Sequence, residues 1–120
     1  MKKLGVKKVI GLGLGVSLLA CSALSHAAVV AHNVKIKNIF QVGTGAGYVY
    51  IDIYREIQND CGNLQRVAFA GDEPSADFYK AMALTALTTG KTTYMVLDVG
   101  AGECVNGQMH LNDFGIMGED

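Results

Sequence analysis

Alternating apolar and polar residues predict five β-strands along this chain. The clearest stretch is 48–56, in which Val49, Ile51 and Ile53 alternate with tyrosines and acidic residues. Shorter stretches of the same kind predict the other four strands, which cover 34–40, 65–70, 92–99 and 108–117. Residues 28–32 are predicted to be a short lead-in to the first of these strands.

One helix is predicted between the third and fourth strands, over 75–90. Ser75, directly after Pro74, is suited to cap its first turn, and Gly90 is suited to end it in the left-handed conformation. Leu84 falls on the outer side of this helix, where we expect it to contact another subunit. Apolar residues recur at three- and four-residue steps and are expected to form the buried face: Tyr79, Met82, Ala83, Ala86 and Leu87.

The predicted order β-β-β-α-β-β is that of the OB-fold, a five-stranded Greek-key barrel. In that barrel the third and fifth strands lie side by side and parallel. Cys61 comes just before the third predicted strand and Cys104 just before the fifth, so a disulfide between them would join the two strand starts. An open α+β sheet, such as the ferredoxin-like fold, is the alternative, because the spatial order of strands is not visible in a sequence.

The first 27 residues are typical of a secretory signal peptide. Four lysines precede an apolar run over 9–20, and this run is too short to cross roughly 30 Å of hydrocarbon. Cleavage after Ala27 is predicted to leave one small domain, 28–120, that is secreted or periplasmic and has no membrane contact. The sequence before Cys21 resembles a bacterial lipoprotein cleavage site, so a lipid anchor on Cys21 is the alternative.

The predicted mature chain is acidic, which disfavours nucleic-acid binding. Four of the ten basic residues and none of the eleven acidic residues precede residue 28, so the net charge changes from −1 to about −5. Cys61 and Cys104 are the two cysteines that remain, and in an exported chain they are expected to form one disulfide. With His32 and His110 they are too scattered for a zinc site, so neither a metal nor a cofactor is predicted.

Catalysis is not predicted either. The glycine-rich run 43–47 lies between two strands rather than before a helix, which indicates a hairpin loop and not a phosphate-binding loop. Ser75 is already explained as a helix cap. Asp52 and Glu56 share a strand face but are roughly 13 Å apart by strand rise, whereas glycosidase carboxyl pairs are about 5–9.5 Å apart.

The outer face of the second predicted strand is the candidate binding surface, formed by Tyr48, Tyr50, Asp52 and Tyr54. Tyrosine offers a flat apolar ring with a hydroxyl group, and carboxylates accept hydrogen bonds from sugar hydroxyls. A solvated strand face and a contact with a partner subunit are the alternatives, because tyrosine is common in sheets and at interfaces.

The stretch from Phe78 to Thr92, with its Thr89-Gly90-Lys91-Thr92 helix end and the strand that follows, resembles the B subunits of AB5 toxins of the subtilase-cytotoxin and typhoid-toxin type. The resemblance implies an exported, disulfide-bearing OB-fold chain that forms pentamers and binds sialylated host glycans. The expected function is therefore a non-enzymatic, self-associating glycan-binding module. A periplasmic or extracellular accessory or inhibitor module, using the same strand face on a protein partner, is the alternative.

Overall fold

The computed structural model describes residues 27–118, which form a mainly β structure with one α-helix. Residues 1–26, which include Cys21 and almost all of the predicted signal peptide, lie outside the described residues, as do 119–120. The helix α1 (Ala76–Thr89) lies between β4 and β5, and a 3₁₀ turn (Ala101–Glu103) lies between β5 and β6. The strands are β1 (Ala28–Val34), β2 (Ile36–Val42), β3 (Tyr48–Ile53), β4 (Arg66–Ala70), β5 (Thr93–Asp98) and β6 (Met109–Ile116).

These strands form one sheet in the order β1-β5-β6-β4-β3-β2. Neighbouring strands are antiparallel except for β4 and β6. This parallel pair sets Val67 opposite Met109 and Ala68 opposite His110. The predicted parallel contact between the third and fifth strands is therefore confirmed.

The two ends of the sheet are joined by the chain itself, because only Lys35 separates β1 from β2. The hydroxyl of Thr93 on β5 donates to the Val34 carbonyl at 2.9 Å, and the Tyr54 amide after β3 donates to the Lys35 carbonyl at 3.1 Å. Asn33 has φ 58°, a left-handed conformation that asparagine adopts more readily than most residues. It redirects the chain from the β5 side of the junction to the β3 side.

The prediction that 28–32 form a lead-in is wrong, because these residues make up most of β1 and pair with β5. The sheet of the described chain consequently has six strands, where five were predicted. Val29 and Ala31 do alternate with less buried neighbours, but the pattern is too short to indicate a strand. The partner that stabilises it comes from the other end of the domain.

The core lies between the inner face of the sheet and α1. Tyr79 of α1 packs edge-on against Phe69 of β4 and Phe114 of β6, with ring centroids 5.3 and 5.9 Å apart. The helix approaches closely because the rest of its buried face is alanine. The largest fully buried side chains of the sheet come from alternate positions: Ile51, Ile53, Val67, Phe69, Met95, Leu97, Met109 and Leu111.

Two predicted details of the helix are wrong and one is confirmed. Gly90 ends α1 with φ 75°, and its amide donates to the Ala86 carbonyl, as predicted. The Ser75 hydroxyl makes no capping bond, because φ −94° and ψ 4° are not the extended geometry that a side-chain cap needs. Leu87 is exposed rather than buried, since it lies at the margin of the alanine-rich stripe.

The predicted disulfide between Cys61 and Cys104 is present, with Cα atoms 5.6 Å apart. It joins the segment before β4 to the segment before β6. The covalent link therefore holds together the starts of the two parallel strands. The pairing of these strands depends on residues that are far apart in sequence.

Candidate functional site

Four side chains on the outer face of β2, β3 and β4 contact one another: Phe40, Tyr50, Asp52 and Arg66, here called the aromatic–arginine cluster. The Arg66 guanidinium lies 5.1 Å from the Phe40 ring centroid and 5.0 Å from that of Tyr50. Its Nε donates to Asp52 Oδ1 at 2.7 Å and its Nη2 to Oδ2 at 3.1 Å. A bidentate pair of this kind fixes the orientation of the guanidinium plane. The cluster is therefore a preorganised part of the surface.

A β-bulge brings Phe40 into this cluster. The pairing of β2 with β3 shifts register between Ile36 and Asn38, so Ile36 and Ile39 both lie opposite inward-facing residues of β3. Because a one-residue shift exchanges the two faces of a strand, Phe40 faces outward beside Tyr50. Phe40 and Arg66 are site residues that the sequence analysis did not identify.

Tyr50 is on the outer face of the sheet, as predicted, but it is only 9 % exposed. The loop between β5 and β6 covers it: Asn106 Nδ2 donates to the Tyr50 hydroxyl at 2.8 Å, and that hydroxyl is 3.4 Å from the Asn106 carbonyl. Asn106 and Gly107 have φ 47° and 81°, the left-handed values that an Asn-Gly turn requires. Tyr50 therefore supports the surface and offers little of its own area to a ligand.

Asp52 is likewise satisfied within the protein. The hydrogen bonds from Arg66 hold the pKa of Asp52 below its ordinary value, although its partial burial acts in the opposite direction. Asn38 Nδ2 also lies 3.4 Å from Asp52 Oδ2. The carboxylate is thus a charged anchor for Arg66 throughout the neutral range.

Replacing Asp52 with asparagine should lower the free energy of unfolding by about 1–3 kcal/mol at pH 7, because the half-buried Arg66 loses its ionic partner. A depressed folded-state pKa stabilises above the unfolded pKa of about 3.9, and this stabilisation is lost as the pH falls through the folded-state value. The difference between wild type and Asp52→Asn should therefore begin to decrease below about pH 4. Urea unfolding from pH 7 to pH 3 measures it.

Asp77→Asn is the matched control, because the Asp77 carboxylate is fully exposed and lies 3.4 Å from Lys80 on the surface of α1. We expect it to change the urea midpoint much less than Asp52→Asn. Equal midpoints for the two variants at pH 7 would contradict an anchoring role for Asp52.

Tyr48 is accessible, with 37 % of its surface exposed. It stands at one side of an open depression of about 330 Å³. Asp72, from the turn between β4 and α1, also lines this depression. The lining residues are Thr44, Ala46, Gly47, Tyr48, Ala70 and Asp72.

The two backbone segments around this depression are in direct contact. The Gly71 amide donates to the Gly47 carbonyl at 2.9 Å. A Cβ on Gly71 would lie 1.9 Å from the Ala46 carbonyl oxygen, so a larger residue would push the segments apart. The glycine-rich run 43–47 is the predicted hairpin loop, and its close approach to the turn fixes the position of both segments that line the depression.

Tyr54 does not join the other predicted residues. It follows the end of β3, is 62 % exposed and lies under the Lys37 ammonium group, 5.7 Å from ring centroid to nitrogen. Along the strand it is roughly 20 Å from Tyr48. The structure therefore brings Tyr48, Tyr50 and Asp52 together and leaves Tyr54 at the opposite end of the face.

His110 on β6 forms a second polar cluster with Glu73 and Asp98, here called the histidine clamp. Its Nε2 lies 3.1 Å from both carboxylate oxygens of Glu73, and its Nδ1 lies 3.1 Å from Asp98 Oδ2. Burial by itself would lower the pKa of His110, but the hydrogen bonds to Glu73 and Asp98 raise it above its ordinary value. The sequence analysis did not find this convergence, because the three residues come from different elements.

Leu84, the predicted subunit contact, is 51 % exposed on α1. Phe78 is also exposed on α1, about 120° around the helix from Leu84. The helix therefore presents two separate exposed apolar residues, and contact of Leu84 with another subunit stays a prediction.

Within residues 27–118 no group of three or more histidine, cysteine or acidic side chains is arranged to hold a metal ion. In the histidine clamp both imidazole nitrogens face carboxylates, so the three side chains share no common point. Over the same residues no helix has the length and apolar character needed to cross a bilayer.

Comparison with protein-family models, with curated proteins and with solved structures found no match for this chain.

Proposed function

We propose that this chain is an exported, non-enzymatic OB-fold module that recognises a host glycan and associates with copies of itself, like the B subunits of AB5 toxins. The element order, the parallel pair β4 and β6 and the joining of the sheet ends at Lys35 support the OB-fold. The Cys61–Cys104 disulfide supports export, because disulfides form and persist in oxidising compartments.

The observation that carries the glycan proposal is the exposed ring of Tyr48 beside the depression. A tyrosine ring can stack on the apolar face of a sugar, while the Asp72 carboxylate and the Thr44 hydroxyl can bond to sugar hydroxyls. OB-folds bind oligosaccharides on the face of their second and third strands and in the adjoining loops. Under the proposed OB-fold, β3, β4 and the loop 43–47 would correspond to these elements.

A glycan array carrying sialylated and neutral oligosaccharides tests this proposal. We expect the purified protein to bind a defined group of glycans, and we expect Tyr48→Ala to weaken that binding roughly tenfold or more through loss of the stacking surface. Fluorescence of the labelled protein on the array gives the specificity, and titration with the best glycan gives the affinity.

Tyr54→Ala is the matched control, because it removes another exposed tyrosine, 62 % exposed, at the other end of the same face. It should bind as the wild type does. If the folded wild-type protein binds no glycan on the array, the glycan proposal is wrong. Binding that is lost in Tyr54→Ala and kept in Tyr48→Ala would move the site to the Lys37 end of the face.

A protein partner is the second candidate, favoured by the exposed Phe78 and Leu84 on α1. Light scattering of the oxidised protein separates it from self-association. A defined oligomer, a pentamer if the resemblance to AB5 B subunits holds, would support contact between copies through this helix. A monomer would leave the apolar surface for a different protein and favour the accessory-module alternative.

A further inference from the structure

The histidine clamp connects the sheet to the turn that forms one side of the depression. Glu73 lies in this turn, 71–74, and its Oε2 accepts the Ala70 amide at 2.9 Å while its own amide donates to the Ala70 carbonyl at 3.1 Å. The turn is thus a closed local unit. The contact between Glu73 and His110 connects this turn to β6, and the contact between His110 and Asp98 extends the connection to β5.

An imidazole can donate from both nitrogens only when it is protonated. Protonated His110 satisfies Glu73 and Asp98 at once. Neutral His110 keeps a single N–H, so its other nitrogen would present a lone pair to a carboxylate. The arrangement is therefore complete in one protonation state of the imidazole and broken in the other.

We propose that His110 is a pH-dependent clamp that holds the turn 71–74 against the sheet when protonated and releases it when neutral. The released turn carries Asp72, so this part of the lining of the depression becomes mobile. The consequence for ligand binding, which is weaker binding at higher pH, rests on the proposed glycan-binding function. The movement of the turn does not.

When His110 becomes neutral, we expect it to lose its bond to Glu73 and keep its bond to Asp98, because the two carboxylates differ in their surroundings. The Asp98 side chain is 11 % exposed and that of Glu73 is 25 % exposed. Without His110, Asp98 would keep only the Asn112 side-chain amide, 3.5 Å away, whereas Glu73 keeps the Ala70 amide at 2.9 Å and can turn toward water. Loss of the His110 bond therefore costs more at Asp98. The remaining proton should therefore stay on Nδ1, facing Asp98, while Glu73 becomes hydrated.

Few other titratable groups lie near enough to His110 to influence its protonation. β4 presents Ala68 beside His110, and Glu73 and Asp98 are the charged groups that act on the imidazole within the described chain. Burial raises the pKa of Tyr79, which also lies within reach of the charges of Asp113 and Glu73. Tyr79 consequently stays neutral over the range in which His110 titrates.

The direction of the pH effect follows from the raised pKa of His110. The clamp stabilises the turn fully below the ordinary histidine pKa of about 6.5. Its contribution is lost as the pH rises through the higher folded-state value.

NMR on isotopically labelled protein tests the clamp without any ligand. The His110 ring resonances give its pKa, and the amide resonances of Gly47, Gly71 and Asp72 report the turn. We expect these amides to titrate with the His110 midpoint and the Gly71 amide to lose protection from hydrogen exchange above it. At high pH, ring nitrogen shifts should show the Nδ1–H tautomer.

Two variants sharpen the test. His110→Gln should abolish the pH dependence of the turn amides, whereas His32→Gln, at the other histidine of the described chain, should leave it intact. Turn amides that stay flat across the wild-type titration would overturn the clamp, as would a neutral Nε2–H tautomer, which would place the release at Asp98. The wild-type titration decides the question even if His110→Gln fails to fold.

The glycan array repeated at pH 5.5 and pH 8.5 keeps the two proposals apart. Titrating amides with a blank array at both pH values would uphold the clamp and end the glycan proposal. Equal glycan binding at both pH values, together with turn amide resonances that do not change with pH, would uphold the glycan proposal and end the clamp.

Discussion

Replacing Phe69 with alanine should lower the free energy of unfolding by about 3–5 kcal/mol. Phe69 is fully buried in β4 and packs edge-on against Tyr79 of the helix, so alanine removes the contact between the two layers and leaves a cavity. Small domains have about 5–15 kcal/mol of stability in total, so the variant should be only marginally folded. Urea unfolding followed by circular dichroism measures the loss.

Phe78→Ala deletes the same atoms from an exposed position on α1 and is the matched control. It should change the unfolding free energy by about 0.5 kcal/mol or less. Both proteins should be compared at low concentration, so that association through α1 does not contribute. A similar loss in the two variants would contradict the placement of Phe69 in the core and Phe78 outside it.

Removing the disulfide by the double substitution Cys61→Ala and Cys104→Ala should cost about 4 kcal/mol in the loop-entropy model. The two cysteines are 43 residues apart, so the cross-link removes much of the conformational freedom of the unfolded chain. The expected result is a large decrease in the urea midpoint.

Reductant supplies the control for this prediction. Dithiothreitol should lower the wild-type midpoint to that of the double variant, and it should not change the variant. A wild-type midpoint that is insensitive to reductant, under conditions that titrate two free thiols, would contradict a stabilising role for the bond.

The elements that could be predicted are those whose signals are local. Alternation in 48–53 and the glycine at position 90 gave the central strand and the helix end, because each depends on neighbouring residues alone. β1 was missed because its seven residues form a strand only by pairing with β5. The residue type predicts Ser75 as a cap, but the backbone geometry that allows capping depends on the preceding turn.

The candidate site shows the same division. The strand period correctly set Tyr48, Tyr50 and Asp52 on one face. The partners that distinguish them come from elsewhere: Arg66 from β4 neutralises Asp52, and Asn106 from a distant loop covers Tyr50. The contacts of His110 with Asp98 and Glu73 depend on the register between β5 and β6 and on the position of the turn, and neither is visible in the sequence.

The pairing of β1 with β5 also sets the order in which this domain can fold. β2, β3 and β4 can pair from neighbouring segments, but the partner of Ala28 is Asp98, near the far end of the described chain. β-rich domains that depend on such non-local contacts fold in milliseconds to seconds rather than microseconds. Although β1 is the first strand of residues 27–118 to emerge during synthesis, we expect it to be among the last to find its partner.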